Sequence, residues 1–165
     1  MIRTIPGNIL DARDRYLVHQ CNCLTTYAKG LADLVFARFP YADIYAERLL
    51  PGGSTRDDRD RVGSIIIRGD GTPESRFVVN LMGQVTPGKP KPGNDSAERR
   101  LGYFARALRN LEDVLQADRS PDKSVAFPFQ IGCGLAGGSW TDYEAVIAEF
   151  SKRSQANVTI YRLPS

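Results

Sequence analysis

The feature that most constrains this chain is the stretch Ile131 to Trp140, I-G-C-G-L-A-G-G-S-W, set between an apolar run (Val125 to Phe129) and a helical pattern. Gly132, Gly134, Gly137 and Gly138 fall within seven positions. That density suits neither strand nor helix and is costly in chain entropy. Glycine lets backbone N–H groups converge on an anion with no Cβ in the way, and a helix starting at Ser139 or Thr141 adds its positive end. The stretch reads as a phosphate or pyrophosphate cradle at a strand-to-helix turn, with a plain surface turn as the alternative. It lacks the Lys-Ser/Thr of a P-loop and the G-x-G-x-x-G spacing, so neither common nucleotide fingerprint applies.

A cradle of this kind needs a sheet behind it. Strands are expected at Met1 to Pro6, Tyr16 to Cys21, Gly63 to Arg68, Arg76 to Met82, Ser124 to Phe129 and Val158 to Tyr161, with a single turn at Ile9 to Asp11. Gly69-Asp70-Gly71 with Thr72-Pro73 supplies a turn that pairs the third and fourth strands as a hairpin. Helical spacing of Leu31, Leu34, Val35 and Phe36 ends at Pro40, and a second short helix is expected from Tyr41 to Leu50. Ser54 to Arg61 reads as a solvated loop in which arginines and aspartates alternate. Asp95 or Ser96 caps a long helix with the stripe Leu101, Phe104, Ala105, Leu108, Leu111 and Leu115, and Thr141 to Arg153 forms the last one, with Tyr143, Val146, Ile147 and Phe150 inward. Strands alternating with helices give an α/β sandwich, partly parallel with an antiparallel hairpin. Ligands in such sheets sit beyond the carboxyl ends of the strands. The loops Asn22 to Gly30 and Gly132 to Ser139 both follow strands and precede helices, so they are expected to face one another.

At 165 residues the chain is expected to be one domain. Its net charge of +3 suits a phosphorylated ligand but is too small to argue for nucleic-acid binding. Three cysteines form no disulfide framework, which fits a reduced cytoplasm. A zinc site would have to be improvised from Cys21, Cys23, Cys133 and His19, so no metal is expected. No stretch is apolar enough to span a membrane, and Met1 to Pro6 lacks a signal-peptide core.

Taken together, Gly7-Asn8-Ile9, His19-Gln20-Cys21-Asn22-Cys23, Lys29-Gly30-Leu31-Ala32, Phe39-Pro40, Ile131-Gly132-Cys133-Gly134-Leu135 with Trp140, and Val158-Thr159-Ile160-Tyr161 resemble a macrodomain, the module that binds ADP-ribose. The nearest-looking branches are the ADP-ribose 1''-phosphate phosphatases and the terminal ADP-ribose protein glycohydrolases. The resemblance implies a three-layer α/β/α sandwich around a central mixed sheet of about six strands. It also implies a ligand site. Asn8 and Ile9 would lie at the adenine, with Tyr161 either near that base or a core tyrosine at a strand end. Asn22 would approach the distal ribose, beside Gly30, Leu31 and Ala32. Ile131, Gly132, Cys133, Gly134, Leu135, Ala136, Gly137 and Gly138 would hold the pyrophosphate.

Neither catalytic set of those branches carries over intact. The acid of the first glycine-rich loop falls at Ala32, with Asp33 one residue late; the lysine and aspartate of the glycohydrolases fall at Met82 or Gly83 and at Ala136. His19 matches a histidine proposed as catalytic in the phosphatase-like branch, and it is equally readable as a strand histidine satisfied by the backbone. Lys29 is a candidate electrostatic stabiliser. The cysteines read as packing residues. The resemblance thus implies a hydrolase that removes mono-ADP-ribose from a modified macromolecule or the phosphate from ADP-ribose 1''-phosphate, with a non-catalytic ADP-ribose reader as the alternative. No cofactor is expected, and a monomer is. Nucleic acid enters only as a modified substrate, met by Lys89, Lys91, Arg99 and Arg100.

Overall fold

The computed structural model describes residues 1–50 and 61–164. Six strands, β1 (Ile2–Pro6), β2 (Tyr16–Asn22), β3 (Ile65–Arg68), β4 (Phe77–Gln84), β5 (Ser124–Pro128) and β6 (Asn157–Arg162), form one sheet in the order β1-β6-β5-β2-β4-β3. Every pairing is parallel except β3 with β4. Helices α1 (Leu31–Arg38) and α2 (Ile44–Glu47) precede β3, α3 (Ala97–Ala117) lies between β4 and β5, and α4 (Trp140–Ser154) between β5 and β6.

The sheet is covered on both faces, as the continuous apolar runs of its central strands require. Tyr16, Val18, Leu81, Val125 and Phe127 pack on Phe104, Leu108 and Leu111 of α3 and on Ile147 and Phe150 of α4. On the other face, Leu17, Cys21, Val78 and Met82 meet Val35 and Phe36 of α1 and Ile44 and Tyr45 of α2. Alternate residues of β2 therefore serve opposite layers. The result is a mixed α/β/α sandwich.

Local chemistry moves several boundaries. The helix expected over Tyr41 to Leu50 is divided: a 3-10 turn spans Pro40–Ala42, and Asp43 then starts α2 by accepting the Ala46 N–H on Oδ1 at 3.0 Å. β3 starts at Ile65 and not at Gly63, whose φ of +83° is incompatible with a strand. Ser96 caps α3, accepting the Arg99 N–H at 3.1 Å. The buried stripe of that helix includes Arg100 and Tyr103, while Leu101 and Ala105 are half-buried. The loop expected at Ser54 to Arg61 lies, except for Arg61, outside the described residues. No helix among the described residues is long and apolar enough to cross a membrane.

Candidate functional site

A cavity of about 680 Å³ opens at the carboxyl ends of β2, β4 and β5, between the loop after β2 and the glycine loop after β5. That volume suits a small-molecule ligand. The two loops close over it from opposite sides: a Cβ on Gly30 would stand 3.1 Å from Leu135 Cδ1.

The floor comes from β2 and β4. Asn22 ends β2, and its Oδ1 accepts the N–H groups of Leu24 and Thr25, both at 2.9 Å, and the Thr25 hydroxyl at 3.2 Å. With its carbonyl oxygen so occupied, Asn22 has its amide hydrogens left as the donors it can offer a ligand. The loop itself is held from behind by α2. Asn22 N–H donates to Tyr45 Oη at 2.8 Å, and Arg48, stacked on the Tyr45 ring at 4.7 Å, donates to the carbonyls of Thr25 (2.6 Å) and Asn22 (2.8 Å). Nothing in their sequence spacing marks Tyr45 and Arg48 as supports of this site; they reach it only because α2 folds beneath the loop.

His19 is 1% exposed and donates from Nε2 to Asn80 Oδ1 at 2.6 Å. The donor role is settled by Asn80, whose Nδ2 donates to the carbonyls of Ala42 and Ile66. Burial lowers the imidazole pKa to about 4, so His19 is neutral near pH 7 and can offer only a lone pair at Nδ1. Cys21 and Cys133 are held as thiols by burial, at about 12 and about 11. Neither is poised as a nucleophile.

In the glycine loop, Gly132 has φ +76° and a Cβ there would lie 2.6 Å from Tyr143 Cε1; only glycine fits. Gly134 differs, with open space where its Cβ would be. Gly138 N–H donates to the Gly132 carbonyl at 2.9 Å, which curls the loop before α4. The segment after β4 forms the remaining wall through Pro87 and Gly88. It is tied to the glycine loop by Arg100, 1% exposed, which forks onto Asp95 (3.0 and 2.8 Å) and also donates to the carbonyls of Gly88 (2.6 Å), Lys89 (3.2 Å) and Ala136 (3.2 Å). Arg100 is therefore removed from any nucleic-acid surface: its guanidinium is consumed by an interior carboxylate and carbonyls. Burial pushes the Asp95 pKa up, but Arg100, the Thr86 hydroxyl and the N–H groups of Val85 and Thr86 outweigh it, and the carboxyl settles at about 2.

Of the residues singled out from the sequence, His19, Asn22, Lys29, Gly30, Leu31, Ala32, Ile131, Gly132, Gly134, Leu135 and Ala136 line the cavity. Asn8, Ile9, Cys133, Gly137 and Tyr161 are not among its lining. Asn8 Oδ1 accepts the Leu10 N–H at 3.0 Å, and Tyr161 donates its hydroxyl to Asp14 at 2.5 Å. Asp33 is exposed on the first turn of α1 and does not line the cavity. At the end of β4 the residue reaching the cavity is Gln84, not Met82 or Gly83, because Met82 is turned into the α1–α2 layer. Gln20, Gln84, Phe129 and Gln130 also line the cavity. The alternation of β2 and the hydrogen bonds of its polar residues, invisible in composition, are what place the glutamines there. Among the described residues no group of three or more His, Cys, Asp or Glu could hold a metal ion.

This strand order, with the glycine loop between β5 and α4, is the macrodomain fold. Solved structures with the same fold include the macrodomain of Mycobacterium tuberculosis DarG (21% identity, TM-score 0.72, covering 100% of this chain and 99% of that one). Thermosipho africanus DarTG in complex with ADP-ribose is 17% identical at TM-score 0.74, covering 98% of this chain and 41% of that one. The Oceanobacillus iheyensis macrodomain with ADP is 16% identical at TM-score 0.64, covering 99% and 84%. No protein-family model and no curated protein matches the sequence.

Proposed function

We propose that the cavity binds ADP-ribose and that the chain is a hydrolase acting at the distal ribose, releasing mono-ADP-ribose from a modified macromolecule or phosphate from ADP-ribose 1''-phosphate. The observation that carries this reading is the arrangement of Asn22 opposite the glycine loop: a fixed amide donor on one side of a cavity whose other side is backbone freed of side chains. The loop from Gly132 to Gly138 suits a pyrophosphate, with Lys29 at the rim adding positive charge. Two solved structures of this fold carry ADP-ribose or ADP.

In this reading Asn22 orients the ribose, and a water is positioned to attack the anomeric carbon as the bond to the leaving oxygen breaks. The water's proton passes to a phosphate oxygen of the ligand, since His19 Nδ1, though without a hydrogen-bond partner among the described residues, is closed off from the cavity. A second reading, a reader without turnover, rests on the lining of the cavity, which includes no Asp or Glu among the described residues.

Calorimetry with ADP-ribose beside a release assay on carboxyl-linked ADP-ribosylated protein separates these readings. Binding together with release that is lost in Asn22→Ala supports the hydrolase, and binding with no product on any linkage supports the reader. Gly134→Val should abolish binding while leaving the fold intact, since its Cβ meets nothing within 4 Å; unaltered binding in that variant would remove the pyrophosphate assignment.

A further inference from the structure

Among the described residues, two that are not glycine have positive φ: Gln130 at +61° and Gln155 at +58°. Gln155 follows the last turn of α4, where a left-handed residue is an ordinary way to end a helix, and it does not line the cavity. Gln130 is different. It is the third residue of the turn that ends β5, closed by the Ile131 N–H donating to the Pro128 carbonyl at 3.1 Å, and its own carbonyl accepts the Cys133 N–H at 2.9 Å. A left-handed position in a turn favours glycine, and the loop carries four glycines from Gly132 to Gly138. At Gln130 the chain has a long polar side chain instead.

That side chain is available. Gln130 is exposed and lines the cavity, and its amide has no hydrogen-bond partner among the described residues. A left-handed glutamine costs stability that glycine would recover, and such strain persists where the side chain is used. Since no group of the protein uses the amide, its use falls to what enters the cavity. The wall that presents it is stiff: the Phe129 N–H donates to the Tyr161 carbonyl of β6 at 2.9 Å, and the Phe129 ring meets Trp140 edge-on at 5.1 Å and the Arg162 guanidinium at 4.6 Å.

The strand order β6-β5-β2-β4 puts Phe129 and Gln130 at the β6 end of the cavity, whereas Asn22 is in register with Gln84 at its β4 end. With the terminal ribose at Asn22 and the diphosphate on the glycine loop, the part of ADP-ribose left for the β6 end is the adenosine. We propose that Gln130 is a further binding and specificity-determining residue, its side-chain amide hydrogen-bonding the adenosine half of the ligand. The inference rests on the ADP-ribose reading and deepens it. An amide offers one acceptor and two donor hydrogens, which suits the neutral hydroxyls and ring nitrogens of a nucleoside.

The test is titration calorimetry of ADP-ribose and of ADP, which share the adenosine, into the wild type, Gln130→Gly and Gln130→Asn, with thermal denaturation of each protein alongside. Gln130→Gly removes the amide and relieves the left-handed strain, while Gln130→Asn keeps a side chain that tolerates this backbone and draws the amide back by one methylene. Both variants should keep the wild-type melting temperature or exceed it, and both should bind ADP-ribose and ADP roughly tenfold more weakly. A loss for ADP-ribose alone would put Gln130 at the terminal ribose and overturn the assignment. Full affinity in both variants overturns it as well. So does a loss in Gln130→Gly with full affinity in Gln130→Asn, which would make the stiffness of the turn, and not the amide, what the ligand needs; a lowered melting temperature in both variants would make the glutamine structural. Failure of the wild type to bind ADP-ribose would instead defeat the underlying ADP-ribose reading, and this proposal with it.

Discussion

His19 lies edge-on to Phe36 at 5.2 Å between ring centroids, with Asn80 as its hydrogen-bond acceptor, and its imidazole pKa falls from 6.5 to about 4 because burial penalises the charged ring. The folded-state value lies below the unfolded one, so between these two pH values the unfolded chain binds a proton that the folded chain does not. This contribution to stability is complete above pH 6.5 and is lost as pH falls towards 4, by on the order of 3 kcal/mol. Urea denaturation followed from pH 7.5 to pH 4.5 should show that decline in the wild type, and His19→Gln should flatten it. From the sequence, His19 is equally a catalytic group and a satisfied strand histidine; the choice between its two nitrogens depends on Asn80, 61 residues away.

At the scale of elements, the segment after β4 has little regular structure, and its geometry is set by α3. Asp95 accepts the N–H groups of Val85 (2.8 Å) and Thr86 (3.0 Å), and Arg100 then binds that carboxylate and carries the restraint to Ala136 in the glycine loop. Two walls of the cavity are thus joined through one guanidinium. Arg100→Met should destabilise the fold by about 3–5 kcal/mol, because it leaves the Asp95 charge and several carbonyls unpaired inside the protein. Chemical denaturation gives the magnitude, and limited proteolysis should show new cleavage between Thr86 and Asp95. Arg100→Lys should not restore the wild-type value, since an ammonium cannot fork onto the carboxylate. The Asp95 pKa is depressed from 3.8 to about 2, so the pair's contribution is complete above pH 3.8 and is lost as pH falls through about 2. Ser96 as a helix cap is readable from its place before an apolar stripe. Arg100 is not: in the sequence it reads with Arg99 as a contact for a modified nucleic-acid substrate, and only the carboxylate and carbonyls gathered around it reverse that reading.

Across the whole molecule, both helical layers press on a single sheet, and the cavity at its end draws on one of them through Leu31, Ala32 and Tyr45. Trp140, the only tryptophan, stands at the start of α4 with its ring 5.1 Å from Phe129, which lines the cavity and carries Arg162 at 4.6 Å on its ring. If the two layers unfold as one cooperative unit, Trp140 fluorescence and far-ultraviolet circular dichroism should give coincident denaturation curves. A fluorescence transition that precedes the loss of helix signal would show that the glycine loop and α4 open separately.

The order of strands and helices, the antiparallel hairpin and the strand-to-helix position of the glycine loop are all determined by local sequence, because apolar periodicity, prolines and glycines act over a few residues. So is the expectation that the two polar loops share one end of the sheet, which follows from parallel strands. What only the tertiary structure decided is which polar atoms are paired and in which state. Gln20 and Gln84 become a locked pair, His19 is neutral and donates to Asn80, and Arg100 is interior. Each of these depends on a hydrogen-bond partner distant in the chain or on desolvation by another layer, and neither is encoded in the spacing of neighbouring residues.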